Sequence, residues 1–279
     1  MKIQASIIIL TKNETLHIKR AVNSAHDFAE VLVVDSSSTD DTCRLAENAG
    51  AKIIQFDWNG AYPKKKEWAL TKAAYDWVIY LDADEYLTES LVAEIRSTIS
   101  AEISTAFEVP LKYFWLGKEL RHGHRVSKRI GIRTSQSTWP RPDDLDVKNM
   151  WEVEGHYQPE VLGNVAKLSS PLGHDDQDGL YDYFSRHNRY SDWEASMLTK
   201  KDQESLSNRS YLGRIAANLP AKSTLFLIYS YILRGGFLDG RSGWEYARAL
   251  SFYYWQIEVK RRELTLAASS HSNLDAATS

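Results

Sequence analysis

Four apolar runs of strand length, "ASIIIL" (5 to 10), "EVLVVD" (30 to 35), "AKIIQF" (51 to 56) and "WVIYLD" (77 to 82), punctuate the first hundred residues. Between them, "LHIKRAVNSA", "DDTCRLAENAG" and "PKKKEWALTKAA" carry apolar or small residues at helical intervals, with Gly50 where a helix C-cap is expected. This β-α-β-α-β-α-β order constrains the fold more than any other feature. It implies parallel strands joined by right-handed crossovers, with helices on both faces of the sheet. Ligands of such sheets bind outside the carboxyl ends of the strands, near the switch in strand order. The site candidates are therefore the polar residues that follow each strand. They are Thr11, Lys12, Asn13 and Glu14 after the first, Asp35 and "SSSTDDT" after the second, and Asp82, Asp84 and Glu85 after the fourth.

Two nucleotide-binding readings fail at once, because neither G-x-G-x-x-G nor G-x-x-x-x-G-K-[ST] follows the first strand. A cluster of carboxylates repels phosphate unless a divalent cation lies between them. Mg²⁺ and Mn²⁺ take hard oxygen ligands and commonly bind through one or two carboxylates plus substrate phosphates. The acidic end of the fourth strand reads as a cation seat for a diphosphate.

The 279 residues are enough for one sizeable core, or a core with an appendage, and 43% apolar with 25% charged residues is the composition of a folded chain. A formal net charge of -3 gives no whole-chain attraction to nucleic acid or acidic lipid, so no nucleic-acid partner is expected. The single Cys43 cannot form an internal disulfide, and no His/Cys cluster has zinc-like spacing, which fits a reducing compartment. The N-terminal apolar run is too short for a secretion signal, and nowhere do about 18 apolar residues run together. A cytoplasmic protein, soluble or peripheral at the inner face of the membrane, is expected.

"SIIILTKNE", "VLVVDSSSTDDT" and "WVIYLDADEYLT", in this order and each at a strand end, resemble the N-terminal half of a family 2 glycosyltransferase with the GT-A fold, "DAD" standing as its D-x-D element. The resemblance implies an α/β GT-A domain with a mainly parallel sheet, a nucleotide-sugar donor (usually a UDP-sugar), a divalent cation (Mn²⁺ or Mg²⁺) and inversion at the anomeric carbon. Carried over, Thr11, Glu14 and Asp35 contact the uridine, Asn13 joins the donor-binding candidates, Asp82 meets the ribose or the metal, and Asp84 the metal. Each has a plainer alternative. Asp35 suits a cap for a helix beginning near Thr39 or Asp40, Asp40 and Asp41 suit first-turn charges, Thr11 and Asn13 suit turn residues, and Asp82 and Asp84 suit a surface turn. Glu85 reads as solvated, or as a partner behind the ligands.

"DWNGAYPKKKEWALTKA" resembles a subgroup near the lipopolysaccharide-core glucosyltransferases, although Glu67 stands where the subgroup often has Asn. Pro63 suits a first helical position. Lys64, Lys65 and Lys66 are either a solvated charge run or, Lys66 above all, a counter-charge to the donor diphosphate. Farther on, His122, His124, Arg125 and Arg129 are either binders of an anionic acceptor or ordinary surface charge. An inverting transfer needs a general base. The family places it in the segment "MWEVEGHYQPEVLGNVAKL", where Glu154 is the choice and Glu152 and Glu160 the reserves. His174 sits where relatives carry a histidine that completes the metal shell.

Four segments are expected: 1–105 for the nucleotide sugar, 106–178 for the acceptor side, a helical extension over 179–266, and a disordered tail over 267–279. In the extension, Leu225, Ile228, Tyr229 and Ile232 form one helical stripe, and Tyr246, Leu250, Tyr253, Tyr254 and Ile257 a second. With Arg234, Arg241, Lys260, Arg261 and Arg262 they suit packing on the catalytic domain or contact with an anionic membrane surface. The function expected is transfer of a sugar to a cell-envelope glycan or lipid-linked acceptor. The rivals are a sugar-phosphate nucleotidyltransferase and a noncatalytic nucleotide-sugar-binding protein.

Overall fold

The computed structural model describes residues 1–147, 158–174, 179–200 and 222–278, with side chains as far as Ala267. The expected alternation is present: β1 (Ile3–Thr11), α1 (Ile18–Ser24), β2 (Phe28–Asp35), α2 (Thr42–Asn48), β3 (Lys52–Gln55), α3 (Lys65–Leu70) and β4 (Trp77–Asp82). The short β5 (Glu85–Tyr86) leads into α4 (Glu89–Ala101), whose N-cap Thr88 accepts a hydrogen bond from the Leu91 amide. β6 (Ala106–Pro110), β7 (Tyr113–Trp115), β8 (Lys118–Leu120) and β9 (Ser127–Arg133) follow. Last come four short strands, β10 (Ser137–Thr138), β11 (Glu160–Val161), β12 (Val165–Lys167) and β13 (Gly173–His174).

Seven strands form one sheet in the order β3-β2-β1-β4-β9-β6-β12. β1 runs parallel to both β2 and β4, β2 to β3, and β12 to β6; β9 alone is antiparallel to its neighbours β4 and β6. Both faces of β1 are buried, which is why it reads as a continuous apolar run. Ile7 and Ile9 pack with Ile18, Val22, Leu91 and Ile95 on one side, and Ile8 and Leu10 pack with Phe56 and Ala69 on the other. Each side chain fully buried in this way contributes about 2 kcal/mol.

The chain divides into two compact units. The first holds this sheet and, as far as it is described, comprises Met1–Tyr113, Arg125–Pro140 and 158–174. The second comprises Phe114–His124, 141–147, 179–200 and 222–278, so the extension recruits two pieces from the middle of the chain rather than beginning at residue 179. It contains α5 (Leu180–Thr199), α6 (Lys222–Ile228) and α7 (Gly240–Thr278). Leu198 packs on Tyr253 and Ile257, and Trp115 meets Tyr183 and Tyr246 edge-on.

Several expectations change here. The second stripe is core, with Tyr246, Tyr253 and Ile257 buried, whereas Leu225, Ile228, Tyr229 and Ile232 are exposed. Lys260 is no free surface cation: its ammonium pairs with Asp192 and donates to the Asn188 carbonyl and to Ser191. The tail from Ala267, expected to lack structure, continues as α7 to Thr278. Pro63 precedes the N-cap Lys64 instead of opening the helix. Among the described residues no helix is long and apolar enough to cross a membrane.

Candidate active site

Strand register brings the first candidates together. Thr11 is the parallel partner of Asp35 and Leu10 that of Asp82, so three adjacent strands end at one sheet edge. Thr11 is buried, and its hydroxyl has no hydrogen-bond partner among the described residues. Its carbonyl accepts from the Ser36 amide at 3.1 Å and from the Lys65 ammonium at 2.9 Å. Asp35 is fully buried; its carboxylate accepts from the Ser38 amide at 2.8 Å and from the Ser38 hydroxyl. This turn ends β2 and lies before α2, which begins only at Thr42, so Asp35 is not the helix cap that the sequence also allowed. Asn13, at a φ of 57°, accepts from the Thr39 amide at 2.9 Å and stitches the two loops together. Glu14 meets His17 at 3.1 Å, and its amide donates to the Thr42 hydroxyl at 2.7 Å.

The lysines after Pro63 are not a solvated run. Lys64 and Lys65 are buried, and the Lys65 ammonium joins the ends of β1 and β2 by donating to the Thr11 carbonyl and, at 2.6 Å, to the Ser36 hydroxyl. Lys66 is half-buried, and its charge acts on Asp82.

At the end of β4 the acidic cluster is built around a residue that sequence reasoning missed. Lys128, from β9, donates to Asp82 at 2.6 Å and to the two oxygens of Glu85 at 2.7 and 2.6 Å. Glu85 also accepts from the Asp82 amide at 2.9 Å, so it is buried rather than solvated. Desolvation works against the charge of Asp82, but Lys128, Lys66 and His174 outweigh it and hold its carboxyl well below the usual range. Desolvation likewise works against Lys128, and Asp82 with Glu85 raises it well above the usual lysine range. Burial pushes Glu85 up; Lys128 pulls the other way, and Asp82 and Asp84 add to the push.

Asp84 faces His174, with the imidazole Nε2 at 3.1 Å from its carboxylate. The pairing has a local cause. β13 lies antiparallel on β5, with His174 opposite Glu85 and Gly173 opposite Tyr86. A side chain on Gly173 would collide with the Tyr86 ring, which Arg20 covers on a face at 3.6 Å. Glycine thus admits the strand that delivers the histidine.

Among the described residues no three His, Cys, Asp or Glu side chains are set as a metal site. The donor set nevertheless fits Mn²⁺ in kind, since Asp84 and His174 offer carboxylate oxygen and imidazole nitrogen side by side. In Asp82 and Glu85, by contrast, the ammonium of Lys128 already balances charge. Glu154, Glu152 and His156 lie outside the described residues. Glu160 is exposed on β11, opposite Thr138. Arg129 is committed to Glu108 at 2.7 Å and the Pro159 carbonyl at 2.9 Å. His122 pairs with Asp239, and the ring of His124 packs on Phe226, both within the second unit.

Comparison with known proteins identifies the family. The model of "Glycosyl transferase family 2" matches residues 6–153. A protein of Rickettsia prowazekii (strain Madrid E), named uncharacterized glycosyltransferase RP128, is 45% identical over 269 residues, covering 95% of this chain and 89% of the relative. The lipopolysaccharide core biosynthesis glycosyltransferase LpsC of Rhizobium meliloti (strain 1021) is 33% identical over 95 residues, 32% of this chain and 35% of that protein. Among solved structures, S. aureus TarS 1-349 aligns with a TM-score of 0.45 at 16% identity, over 93% of this chain and 92% of that chain. The rival readings as nucleotidyltransferase or passive binder give way to the family match. The chain, with its mainly parallel sheet and helical C-terminal region, belongs to glycosyl transferase family 2 and is a glycosyltransferase.

Proposed function

We propose that this glycosyltransferase moves a sugar from a UDP-sugar, with inversion and with the help of a divalent cation, to a cell-envelope glycan or lipid-linked acceptor. The observation that carries the donor reading is the convergence of Thr11, Asp35 and Asp82 at the ends of three adjacent strands, with Asp84 and His174 beside them. Thr11 supplies a buried hydroxyl without a partner among the described residues. Asp35 keeps acceptor capacity, since each carboxylate oxygen has two lone pairs. Asp84 and His174 would hold the cation, with Asp82 next to them. Bound there, a divalent ion supplies positive charge against the departing diphosphate. Lys128 and Lys66 fix Asp82 as a carboxylate throughout the neutral range. Glu154 is the proposed base that removes the acceptor hydroxyl proton.

The acceptor reading draws on the LpsC likeness, whose name concerns lipopolysaccharide core, and on the exposed apolar residues of the second unit. It places the reaction on the cytoplasmic side, at the membrane surface. Hydrolysis of UDP-, GDP- and dTDP-sugars by the purified chain, with Mn²⁺ and with EDTA, tests the donor. Turnover of a UDP-sugar that EDTA abolishes is expected. Equal turnover in EDTA would remove the cation from the proposal, and preference for a GDP- or dTDP-sugar would remove the uridine.

A further inference from the structure

In the second unit the chain leaves α6 through a π-helical turn, Tyr229–Leu233, and a 3₁₀ turn, Gly236–Asp239, before entering α7. The backbone closes tightly here. A Cβ on Gly236 would stand 2.8 Å from the Ser230 carbonyl oxygen, and one on Gly243 would overlap the Gly236 carbonyl. With the inside of the turn filled by backbone, Ile232, Leu233, Phe237 and Leu238 project into solvent, Leu233 being 73% and Leu238 61% exposed. Leu225, Ile228 and Tyr229 continue the exposed stripe along α6. A fixed turn that displays this many adjacent large apolar groups marks an interaction surface rather than scattered surface residues.

Its charges say which kind. From Lys222 to Leu238 the only charged residues are Lys222 and Arg234. The next carboxylate, Asp239, is buried; it accepts from the amides of Arg121 at 3.0 Å and His122 at 2.8 Å, and meets the His122 ring at 3.1 Å. The Gly123 amide donates to the Arg234 carbonyl at 2.9 Å. These bonds seat the loop at Arg121–His124 against the turn, so the exposed Arg121 and His122 join Arg234 on its rim. The surface is thus apolar at its tip, cationic at its rim, and without an exposed carboxylate in the turn. An anionic bilayer complements it on both counts, whereas a second copy would set like charges against each other.

We infer that the turn between α6 and α7 is a membrane-docking tip, which lowers Leu233, Phe237 and Leu238 among the acyl chains of an anionic leaflet while Arg121 and Arg234 lie at the headgroups. It deepens the reading of a membrane-borne acceptor and rests on it. The test is flotation of the full chain, without donor or acceptor, on phosphatidylcholine vesicles with and without phosphatidylglycerol. Wild type should float with the anionic vesicles and weakly with the neutral ones. Leu233→Ser with Phe237→Ser should weaken binding at least about tenfold, the loss of buried apolar area being large. Arg121→Ser with Arg234→Ser should weaken it up to about thirtyfold on anionic vesicles only. All four side chains are exposed or half-exposed, and unchanged melting curves would show that the variants fold. Wild type that stays in solution, or a Leu233/Phe237 variant that floats like wild type, overturns the inference. A dimer lost in that variant would assign the surface to a second copy. Because no sugar is present, failure here leaves glycosyl transfer untouched, and failure of the transfer reading leaves the vesicle result standing.

Discussion

Lys128 decides how the acidic cluster behaves as single residues. Removing it by Lys128→Met leaves the buried Glu85 without its counter-charge, a change expected to cost about 3 kcal/mol. In the wild type Asp82 is depressed, so its contribution is complete above about pH 4 and is lost only as pH falls through its lower folded value. Lys128 is raised, so its contribution is complete below about pH 10 and is lost as pH rises through its higher folded value. In Lys128→Met, Glu85 loses the charge that pulls against its burial and rises further, so the native state binds more protons than the unfolded chain and stability falls as pH rises. Urea unfolding at pH 4.5 and at pH 7 should therefore show a larger deficit at the higher pH; a constant deficit would mean that charge is not the cause. Glu154→Gln should keep donor binding and lower transfer by about two orders of magnitude. If it transfers normally while Glu152→Gln does not, the neighbour is the base. Asp35, Asp82 and Asp84 were legible as candidates because each ends an apolar run. The burial of Lys64 and Lys65 was not, because the groups that receive Lys65, Thr11 and Ser36, come from other strands.

At the scale of elements, β1 and β4 announce themselves because strands buried on both faces are apolar throughout, and β2 and the edge strand β3 by shorter apolar runs, whereas β9 does not. Its register against β6 shifts between Phe107 and Glu108, so alternation along "SKRIGIR" cannot tell which face Lys128 takes. Ile130 and Ile132 fall into different cores for the same reason. His174 lies in a two-residue strand whose partner, β5, is equally short, too brief for a periodic signal. The junction of β6 and β9 yields a test. The fully buried Phe107 ring lies against Gly131 and stacks on Trp77 with centroids 5.6 Å apart. A methyl on Gly131 would overlap the ring, so Gly131→Ala should lose up to about 3 kcal/mol, the upper range for an overfilled core. Adding Phe107→Leu should return part of that loss. Strict additivity of the two changes in urea unfolding would show that the ring is not the obstacle.

For the whole molecule, donor binding and stability are linked, because a ligand held only by the folded state raises its free energy of unfolding. At a hundredfold excess over Kd the gain is about 2.7 kcal/mol, enough for a clear rise in melting temperature. The net charge of -3 gives a nucleotide diphosphate no general attraction, and the edge that would receive it ends in Asp82, Asp84 and Glu85. Two local counter-charges are proposed: a divalent ion at Asp84 and His174, or the ammonium of Lys66, since that of Lys128 is taken up by Asp82 and Glu85. They predict different melts. If the ion carries the diphosphate, UDP with Mn²⁺ should raise the melting temperature, UDP with EDTA should do little, and Asp84→Ala should erase the difference. Asp84→Ala alone should melt near wild type, since a partly exposed pair of this kind contributes at most about 1 kcal/mol. If UDP protects equally in EDTA, and Lys66→Met rather than Asp84→Ala abolishes the protection, the ammonium of Lys66 is the counter-charge and Asp82 serves to hold it in place.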